Sequence, residues 1–292
     1  MKKIGFIGLG VMGGAIVTHL LQAGFELHVY NRTQAKMQPY VALGAISENS
    51  PQEVAAHAEI IFTMVGFPQD VKYVYFGENG IFKSDIAGKY LVDLTTSTPT
   101  LAKEIFQEAT LRGAHAMDAP VSGGDLGAKN GTLTMMVGGN LADFEILTPI
   151  FEIFTSTLNL QGPAGSGQHT KMANQIMIAG TMTGLTELLV YAYAAGLDLE
   201  KVLATVGGGS AANWSLTNYA PRILAQDFTP GFFVKHFVKD LKIALDEAEK
   251  MNLQLPATQQ ALKMYEELAK DYPNSGTQSL IKLFWPEGTP KK

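Results

Sequence analysis

The sequence predicts an α/β domain built on a parallel sheet, followed by an all-α domain. Two observations support this division: short β-type runs alternate with helical patterns through the first half of the chain, and only helical patterns follow residue 162. A chain of 292 residues is also long for one hydrophobic core. We therefore expect two domains, at residues 1–162 and 163–292.

The first domain is expected to be doubly wound, with helices on both faces of the sheet. Predicted strands are the apolar runs at 3–7, 27–30, 60–65, 90–94, 114–117 and 133–137. Predicted helices are at 12–23, 33–43, 99–111 and after Ser50, where Ser, Pro and Glu occupy the positions typical of a helix start.

One long apolar pattern dominates the second domain. Residues 169–195 contain no proline and almost no charge, which predicts a helix of about 26 residues and about 39 Å. A helix that is apolar nearly all round should be buried in its domain or against a partner subunit. Further helices are predicted at 199–206, 234–251 and 256–270.

Composition and charge exclude several classes of protein. The net charge of -5 and the lack of a basic patch argue against nucleic-acid binding. The absence of cysteine excludes disulfides and thiolate metal sites and fits a reducing compartment, so a cytoplasmic location is expected. The six histidines show no metal-ligand spacing, and no metal site is expected.

No membrane association is expected. Glycines interrupt the first apolar run, unlike a signal peptide. The charge-free stretch between Lys171 and Glu187 is 15 residues long and partly polar, whereas a bilayer span needs roughly 20 apolar residues.

The first candidate binding motif is the glycine-rich turn Gly8-Leu9-Gly10-Val11-Met12-Gly13. It follows a predicted strand, opens a helix, and precedes a second strand, as in Rossmann dinucleotide-binding domains. Gly8 permits the tight turn, Gly10 allows a pyrophosphate to approach the backbone, and Gly13 lets the helix pack against the strand. The alternative is a glycine-rich turn without a ligand.

The end of the second strand favours NADP(H) over NAD(H). NAD enzymes usually carry an acidic residue there, which binds the ribose 2′-hydroxyl. Here the residues are Asn31, Arg32 and Thr33, with no carboxylate to repel a 2′-phosphate. Arg32 can bind that phosphate and Thr33 can donate a further hydrogen bond. The alternative is a surface arginine at the start of a helix.

Residues 118–124 form a candidate substrate loop, Asp118-Ala119-Pro120-Val121-Ser122-Gly123-Gly124. It follows a predicted strand, where ligand sites of α/β proteins lie. Ser122 offers a hydroxyl group, and Gly123 and Gly124 allow backbone N–H groups to point at an anion such as a carboxylate. A plain turn is the alternative, since this composition is common in turns.

Lys171 is the candidate acid/base. Three glycines precede the long helix, which places Lys171 in its first turn, with Asn174 and Gln175 on the same face. Burial and the positive end of the helix dipole both lower the pKa of a lysine, which prepares it for proton transfer. The alternative is a solvated lysine, the common fate of this residue.

The segment Lys239-Asp240-Leu241-Lys242 begins an amphipathic pattern. From the sequence alone, a solvated helix face with a weak ion pair is the favoured interpretation.

Together these four motifs, in this order, resemble the β-hydroxyacid dehydrogenase family. Its members include 3-hydroxyisobutyrate dehydrogenase, tartronate semialdehyde reductase and relatives that act on succinic semialdehyde. The resemblance covers essentially the whole chain and implies a Rossmann domain, an all-helical domain and a homodimer or homotetramer around the long helix.

The resemblance also implies roles for individual residues. Lys171 matches the family's catalytic lysine, and the Ser122–Gly124 loop matches the part that binds the substrate carboxylate. Asn174 and Gln175 match a polar pair near the substrate, where the family often has two Asn residues. Positions that line the cofactor are matched by Met64, Val65, Thr96 and Lys239. The following Gly66-Phe67-Pro68 departs from the family pattern.

These features predict hydride transfer between nicotinamide and a small hydroxy acid, with proton transfer by Lys171. Two alternatives are an imine-reducing relative and a non-catalytic dinucleotide-binding module. Relatives of both kinds usually lack the lysine, so Lys171 argues against each.

Overall fold

The computed structural model describes residues 3–290, which form two compact units. The first unit ends at Lys171 and the second begins at Met172. This division falls inside the long helix, whereas the boundary expected from the sequence lies before it, at residue 162. The helix therefore contributes its first residues to one unit and its remainder to the other.

A nine-stranded sheet forms the centre of the first unit. Its strands are β1 (Lys3–Ile7), β2 (Glu26–Tyr30), β3 (Ile46–Ser47), β4 (Ile60–Thr63), β5 (Tyr90–Asp93), β6 (His115–Asp118), β7 (Val121–Ser122), β8 (Leu133–Gly138) and β9 (Thr155–Gly162). The order is β3-β2-β1-β4-β5-β6-β8-β7, with β9 also paired to β8. Strands β1 to β6 run parallel to one another, β8 runs antiparallel to β6 and β7, and β9 runs parallel to β8. The predicted parallel sheet is confirmed.

Helices cover both faces of this sheet. They are α1 (Val11–Gln22), α2 (Gln38–Val41), α3 (Pro51–His57), α4 (Pro68–Phe76), α5 (Pro99–Leu111), α6 (Gly124–Asn130) and α7 (Leu141–Phe151). Side chains alternate between the two faces, so Phe6 joins the core beneath α1 and α7, while Ile7 joins the core beneath α3, α4 and α5. In the first core, Phe62 lies between Phe6, Phe151 and Phe154.

Several elements differ from the sequence prediction. The helix expected over 33–43 is a 3₁₀ turn, Gln34–Met37, followed by the single turn α2. Pro39 explains the interruption, because it lacks the N–H that a continuous helix needs at that position. The short strands β3 and β7, the strand β9 and the helices α4, α6 and α7 were not predicted.

The long helix α8 (Ser166–Ala194) leads into the second unit, where every described element is helical. The others are α9 (Leu199–Val206), α10 (Trp214–Leu224), α11 (Val234–Lys250), α12 (Pro256–Asp271) and a 3₁₀ segment, Thr277–Leu283. Residues Met182, Leu189, Phe237 and Tyr265 lie in one buried core. The predicted all-α domain is confirmed.

Helix α8 has 29 residues, almost twice the charge-free stretch considered above. By length and composition alone it is long and apolar enough to cross a membrane, with a third of its most apolar window buried. The core helix of a folded domain passes the same test. Buried polar side chains, Lys171, Gln175 and Thr186, interrupt its apolar surface.

Candidate active site

The glycine-rich turn between β1 and α1 has the geometry of a phosphate-binding cradle. Gly8 has φ +103°, and a Cβ there would overlap the carbonyl oxygen of Met64. A Cβ at Gly13 would overlap the carbonyl oxygen of Gly8, so the helix and the turn are in close contact. Gly10 caps α1 without a side chain, and space remains open beside it. The first N–H groups of α1 are therefore accessible to an anion.

The cradle lies at the switch point of the sheet, where the chain leaves β1 toward β2 on one side and is joined by β4 on the other. Two predicted cofactor residues follow β4: Met64 donates its N–H to Ile7, and Val65 donates its N–H to the Thr95 hydroxyl. Thr96 is half-buried, three residues after the end of β5. The predicted cofactor residues of the first unit thus follow neighbouring strands.

Asn31 fastens the end of β2 to the cradle. Its Oδ1 accepts the Leu9 N–H at 2.9 Å, and its Nδ2 donates to the Thr33 carbonyl at 2.9 Å. The side chain of Asn31 therefore holds the glycine turn in place. This structural role does not depend on contact with a ligand.

Arg32 lies just after the end of β2, as expected, and its side chain is 84% exposed, but it has an acidic neighbour. Its guanidinium lies 3.2 Å from the carboxylate of Asp70, in the first turn of α4. The end of β2 carries no carboxylate of its own, as the sequence indicates, but Asp70 brings one beside Arg32. The two residues are 38 positions apart, and α4 itself was not predicted, so no local sequence pattern indicates the pair.

The segment Ser122-Gly123-Gly124 is more ordered than the predicted loop. Ser122 ends β7, where it pairs with Thr134 of β8, and Gly124 begins α6. Gly123 and Gly124 have φ +122° and +64°, conformations that other residues rarely adopt. Two successive glycines thus turn the backbone sharply beside a half-buried hydroxyl.

The start of α8 is set by Asp118, a residue to which the sequence analysis gave no role. Its Oδ1 accepts the Gly165 N–H at 2.7 Å, and its Oδ2 accepts the Gln168 N–H at 2.8 Å. Gly165 is the N-cap, because its carbonyl accepts the first helical bond from His169. In a capping box, the side chains of the N-cap and N3 residues accept hydrogen bonds from these two N–H groups. Here the single carboxyl group of Asp118, on β6, accepts both.

Because of this cap, α8 begins at Ser166, three residues before the predicted start. Lys171 consequently lies in the second turn, and the prediction of a first-turn lysine is wrong. The helix dipole acts mainly within the first turn, so it contributes less at Lys171 than expected. Burial remains: Lys171 is only 6% exposed, which excludes the solvated alternative.

Gln168 ties the same helix start to the segment after β5. Its Oε1 accepts the Ser97 N–H at 2.9 Å, and its Nε2 donates to the Thr95 carbonyl at 2.7 Å. Since Gln168 is fully buried, these bonds leave it little freedom. Lys171 lies about one turn after Gln168, on a helix whose start is hydrogen-bonded to Asp118 on β6 and to the segment after β5.

In the second unit, Asn174, Gln175, Asp240 and Lys239 form one polar chain. Asn174 Nδ2 donates to Gln175 Oε1 at 2.7 Å, and Gln175 Nε2 donates to Asp240 Oδ2 at 2.7 Å. Lys239 Nζ lies 3.0 Å from Asp240 Oδ1. Asp240 is 1% exposed, so the predicted solvated helix face is wrong at this position.

A mononucleotide-binding turn at the switch point of a parallel sheet, followed by an anchored helix with a buried lysine, defines a class: nicotinamide-dependent oxidoreductases with a helical second domain. Residues 3–162 match the NAD-binding domain of 6-phosphogluconate dehydrogenase, and residues 165–284 match the NAD-binding domain of NADP-dependent 3-hydroxyisobutyrate dehydrogenase. The chain belongs to the β-hydroxyacid dehydrogenase family.

Individual relatives agree with this assignment. The uncharacterized oxidoreductase YkwC of Bacillus subtilis (strain 168) is 50% identical, over 97% of this chain and 99% of the relative. The 2-hydroxy-3-oxopropionate reductase of Escherichia coli (strain K12) is 37% identical, over 94% of this chain and 93% of the relative. A solved 3-hydroxyisobutyrate dehydrogenase from Mycobacterium tuberculosis with L-serine has a TM-score of 0.90 and 26% identity, over 97% and 99%.

The pH dependence of stability tests the environment of Asp118. Burial raises the pKa of this carboxyl from its ordinary value of 3.8 to about 7, although the N–H groups of Gly165 and Gln168 oppose the shift. The folded protein then binds more protons than the unfolded chain between about pH 4 and pH 7, so this residue's contribution to stability falls as pH rises through that window.

We expect the free energy of unfolding of the native chain, minus that of Asp118→Asn, to decrease between pH 4.5 and pH 7.5 in urea titrations. A constant offset is also expected, because the amide can accept only one of the two N–H groups. A difference that rises with pH would show that the N–H donors outweigh burial.

Proposed function

We propose that this protein transfers a hydride between NADP(H) and a small β-hydroxy acid or the corresponding semialdehyde acid, with Lys171 as the acid/base. The observation that carries the proposal is the buried amine of Lys171 on a helix whose start is fixed by Asp118. Burial disfavours the charged form of an amine and so favours proton exchange nearer neutral pH.

The nicotinamide, when bound, supplies or accepts the hydride. In reduction, the ammonium group of Lys171 donates a proton to the substrate oxygen as the carbonyl becomes a hydroxyl group. In oxidation, the neutral amine accepts the hydroxyl proton. The anchored helix supports this role because general acid–base catalysis requires the donor to be held within hydrogen-bonding distance of the oxygen.

A carboxylate on the substrate fits the turn at Ser122. The hydroxyl group and the backbone N–H groups of Gly123 and Gly124 are donors suited to an anion. The names of the relatives support the same class, since 3-hydroxyisobutyrate and 2-hydroxy-3-oxopropionate are both small carboxylates.

Of the polar pair on α8, Asn174 is the better candidate for substrate contact. Gln175 is buried, and both ends of its amide are engaged, by Asn174 and by Asp240. Gln175 is therefore a positioning residue that holds the Asn174 amide through a hydrogen bond.

NADP(H) remains the proposed cofactor, with a preference that Asp70 moderates. Arg32 can bind a 2′-phosphate, but it must exchange its contact with Asp70 to do so, or share it. Because Asp70 lies beside Arg32, a bound NADH would have a carboxylate neighbour here that the end of β2 itself does not carry.

We also propose that the protein is a homodimer or homotetramer assembled through α8. Small and apolar residues, with one acid, are exposed along one stripe of this helix at intervals of three and four residues: Ala173, Met177, Gly180, Gly184, Glu187 and Tyr191. A Cβ at Gly180 or Gly184 would meet no atom within 4 Å, so another helix could approach closely there. Exposed apolar stripes commonly mark interfaces.

Replacing Lys171 tests the reaction. Lys171→Ala should lower kcat by at least ~100-fold, the low end for general acid–base catalysis, while NADPH binding measured by fluorescence is retained. Activity is followed at 340 nm with a panel of small aldehyde acids, and Lys242→Ala on the exposed face of α11 is the matched control. Near-normal turnover in Lys171→Ala, or reduction of imines but of no aldehyde acid, would overturn the proposal.

Replacing Arg32 tests the cofactor preference. Arg32→Ala should raise KM for NADPH by about 10- to 100-fold, because a hydrogen bond to a charged group is worth about 1.5–3 kcal/mol. KM for NADH should change little. Asp70→Asn should instead lower KM for NADPH, since it frees Arg32. Equal changes for both cofactors would contradict the assignment.

Replacing a stripe glycine tests the assembly. Gly184→Arg should shift the sedimenting mass from a multiple of 31.5 kDa to 31.5 kDa itself, because a charged side chain would enter the interface. Arginine is a better helix former than glycine, so α8 should persist. The control is Leu111→Arg, at an exposed position of the first unit. An unchanged oligomer in Gly184→Arg would exclude this stripe.

A further inference from the structure

Three side chains that the proposed function does not use meet beside β2. His28 lies on β2, Glu48 follows β3, and His57 ends α3. Glu48 Oε1 lies 2.7 Å from His28 Nδ1 and 2.8 Å from His57 Nδ1. All three atoms lie within 4.8 Å of one another, so two nitrogens and one oxygen converge on one point.

The second nitrogen of His28 shows which atom can act as a ligand. His28 Nε2 lies 3.2 Å from Glu26 Oε1, so both ring nitrogens face carboxylate oxygens. A neutral imidazole has one N–H and can donate to only one of them. When Nε2 donates to Glu26, the Nδ1 lone pair points at the convergence point. Histidine ligands of metals are commonly oriented by such an outer carboxylate.

We propose that His28, Glu48 and His57 form a Zn²⁺ site. Two imidazole nitrogens and one carboxylate oxygen are a known zinc ligand set, with a water molecule in the fourth position. The side chain of His57 is 53% exposed and gives solvent access, whereas His28 and Glu48 are buried and fixed by the fold.

The geometry requires a small adjustment. Zinc bonds of about 2.0–2.2 Å in a tetrahedron separate neighbouring ligand atoms by about 3.3 Å, so the contacts of 2.7 and 2.8 Å must widen by about half an ångström. A small torsional shift of the Glu48 side chain can lengthen both contacts, because its Oε1 is common to them, and the exposed ring of His57 can adjust within its present rotamer.

The local charge favours a cation. Glu26 lies beside the site, since its carboxylate contacts His28, and Glu48 is itself a carboxylate of the site. Lys3, 3.1 Å from Glu26, offsets one of these charges. Carboxylates therefore outnumber fixed positive charges around the ring nitrogens, and a divalent ion would balance them.

Zinc at this site would join three parts of the first unit: strand β2, helix α3 and the segment that follows β3. Ligand binding that requires the folded arrangement raises its stability. The site is independent of hydride transfer, so its test does not depend on the proposed reaction.

The experiment uses the full chain without an affinity tag, freed of metal by a chelator that is then removed. ZnCl₂ is titrated by calorimetry, and Co²⁺ is used as a spectroscopic probe, because tetrahedral Co²⁺ absorbs strongly in the visible range. We expect one ion per chain, tetrahedral Co²⁺ absorption, and a thermal midpoint that rises with zinc.

Ligand and control variants locate the site. His57→Ala should weaken binding by at least ~100-fold, and Glu26→Gln by about 10-fold, as for an outer partner. His115→Ala is the matched control, since His115 also contacts one carboxylate, Asp143, at 2.8 Å. His57→Gln, checked for folding by circular dichroism, serves if His57→Ala is unstable.

Two results would overturn the proposal. One is the absence of stoichiometric zinc binding to the native chain. The other is zinc affinity that is unchanged in both His57 variants, or that falls equally in His115→Ala.

Discussion

The arrangement of the candidate active site depends on the buried carboxyl group of Asp118, which accepts hydrogen bonds from two backbone N–H groups. A helix start leaves N–H groups unsatisfied, and burying them without partners would be costly. Asp118, on a neighbouring strand, removes this cost, because its two oxygens accept hydrogen bonds from the N–H groups at the start of α8. The packing is tight: a Cβ at Gly138 or Gly167 would press against Asp118 itself. The position of Lys171 therefore follows from the strand, and not only from the sequence of the helix.

This anchoring changes the physical account of the lysine. The helix dipole, expected to act on a first-turn residue, is weaker in the second turn, so its influence on the Lys171 amine is smaller than expected. Lys171 is buried, and burial disfavours the charged form of an amine. The effect of burial lasts only while water stays excluded, so the start of the helix must keep its position. Gln168 contributes here, because its two hydrogen bonds join the helix start to the segment after β5.

Much of the fold could be predicted from the sequence, because periodic patterns and local capping signals are properties of neighbouring residues. Helix α5 begins and ends where predicted, at Pro99 and Leu111, and the glycine turn lies where predicted. Apart from the break at Pro39, which is local, the errors in the candidate site share a cause: they depend on contacts between distant parts of the chain. The cap from Asp118 extends α8 backward through glycines that locally favour a turn, and Asp70 reaches Arg32 from a helix 38 positions further along the chain. The histidines that meet at Glu48 show no metal-ligand spacing for the same reason.

The polar chain on the second unit shows how a residue without substrate contact can still be required. Asp240 is almost fully buried, and a buried carboxylate is costly unless it is paired and hydrogen-bonded. Lys239 supplies the opposite charge and Gln175 the hydrogen bond. In turn, both amide atoms of Gln175 already make hydrogen bonds within this polar chain, whereas Asn174 takes part in it through its nitrogen only. Lys239, assigned to the cofactor by resemblance, must therefore also balance Asp240, and its removal would disturb Gln175 and Asn174 as well as any cofactor contact.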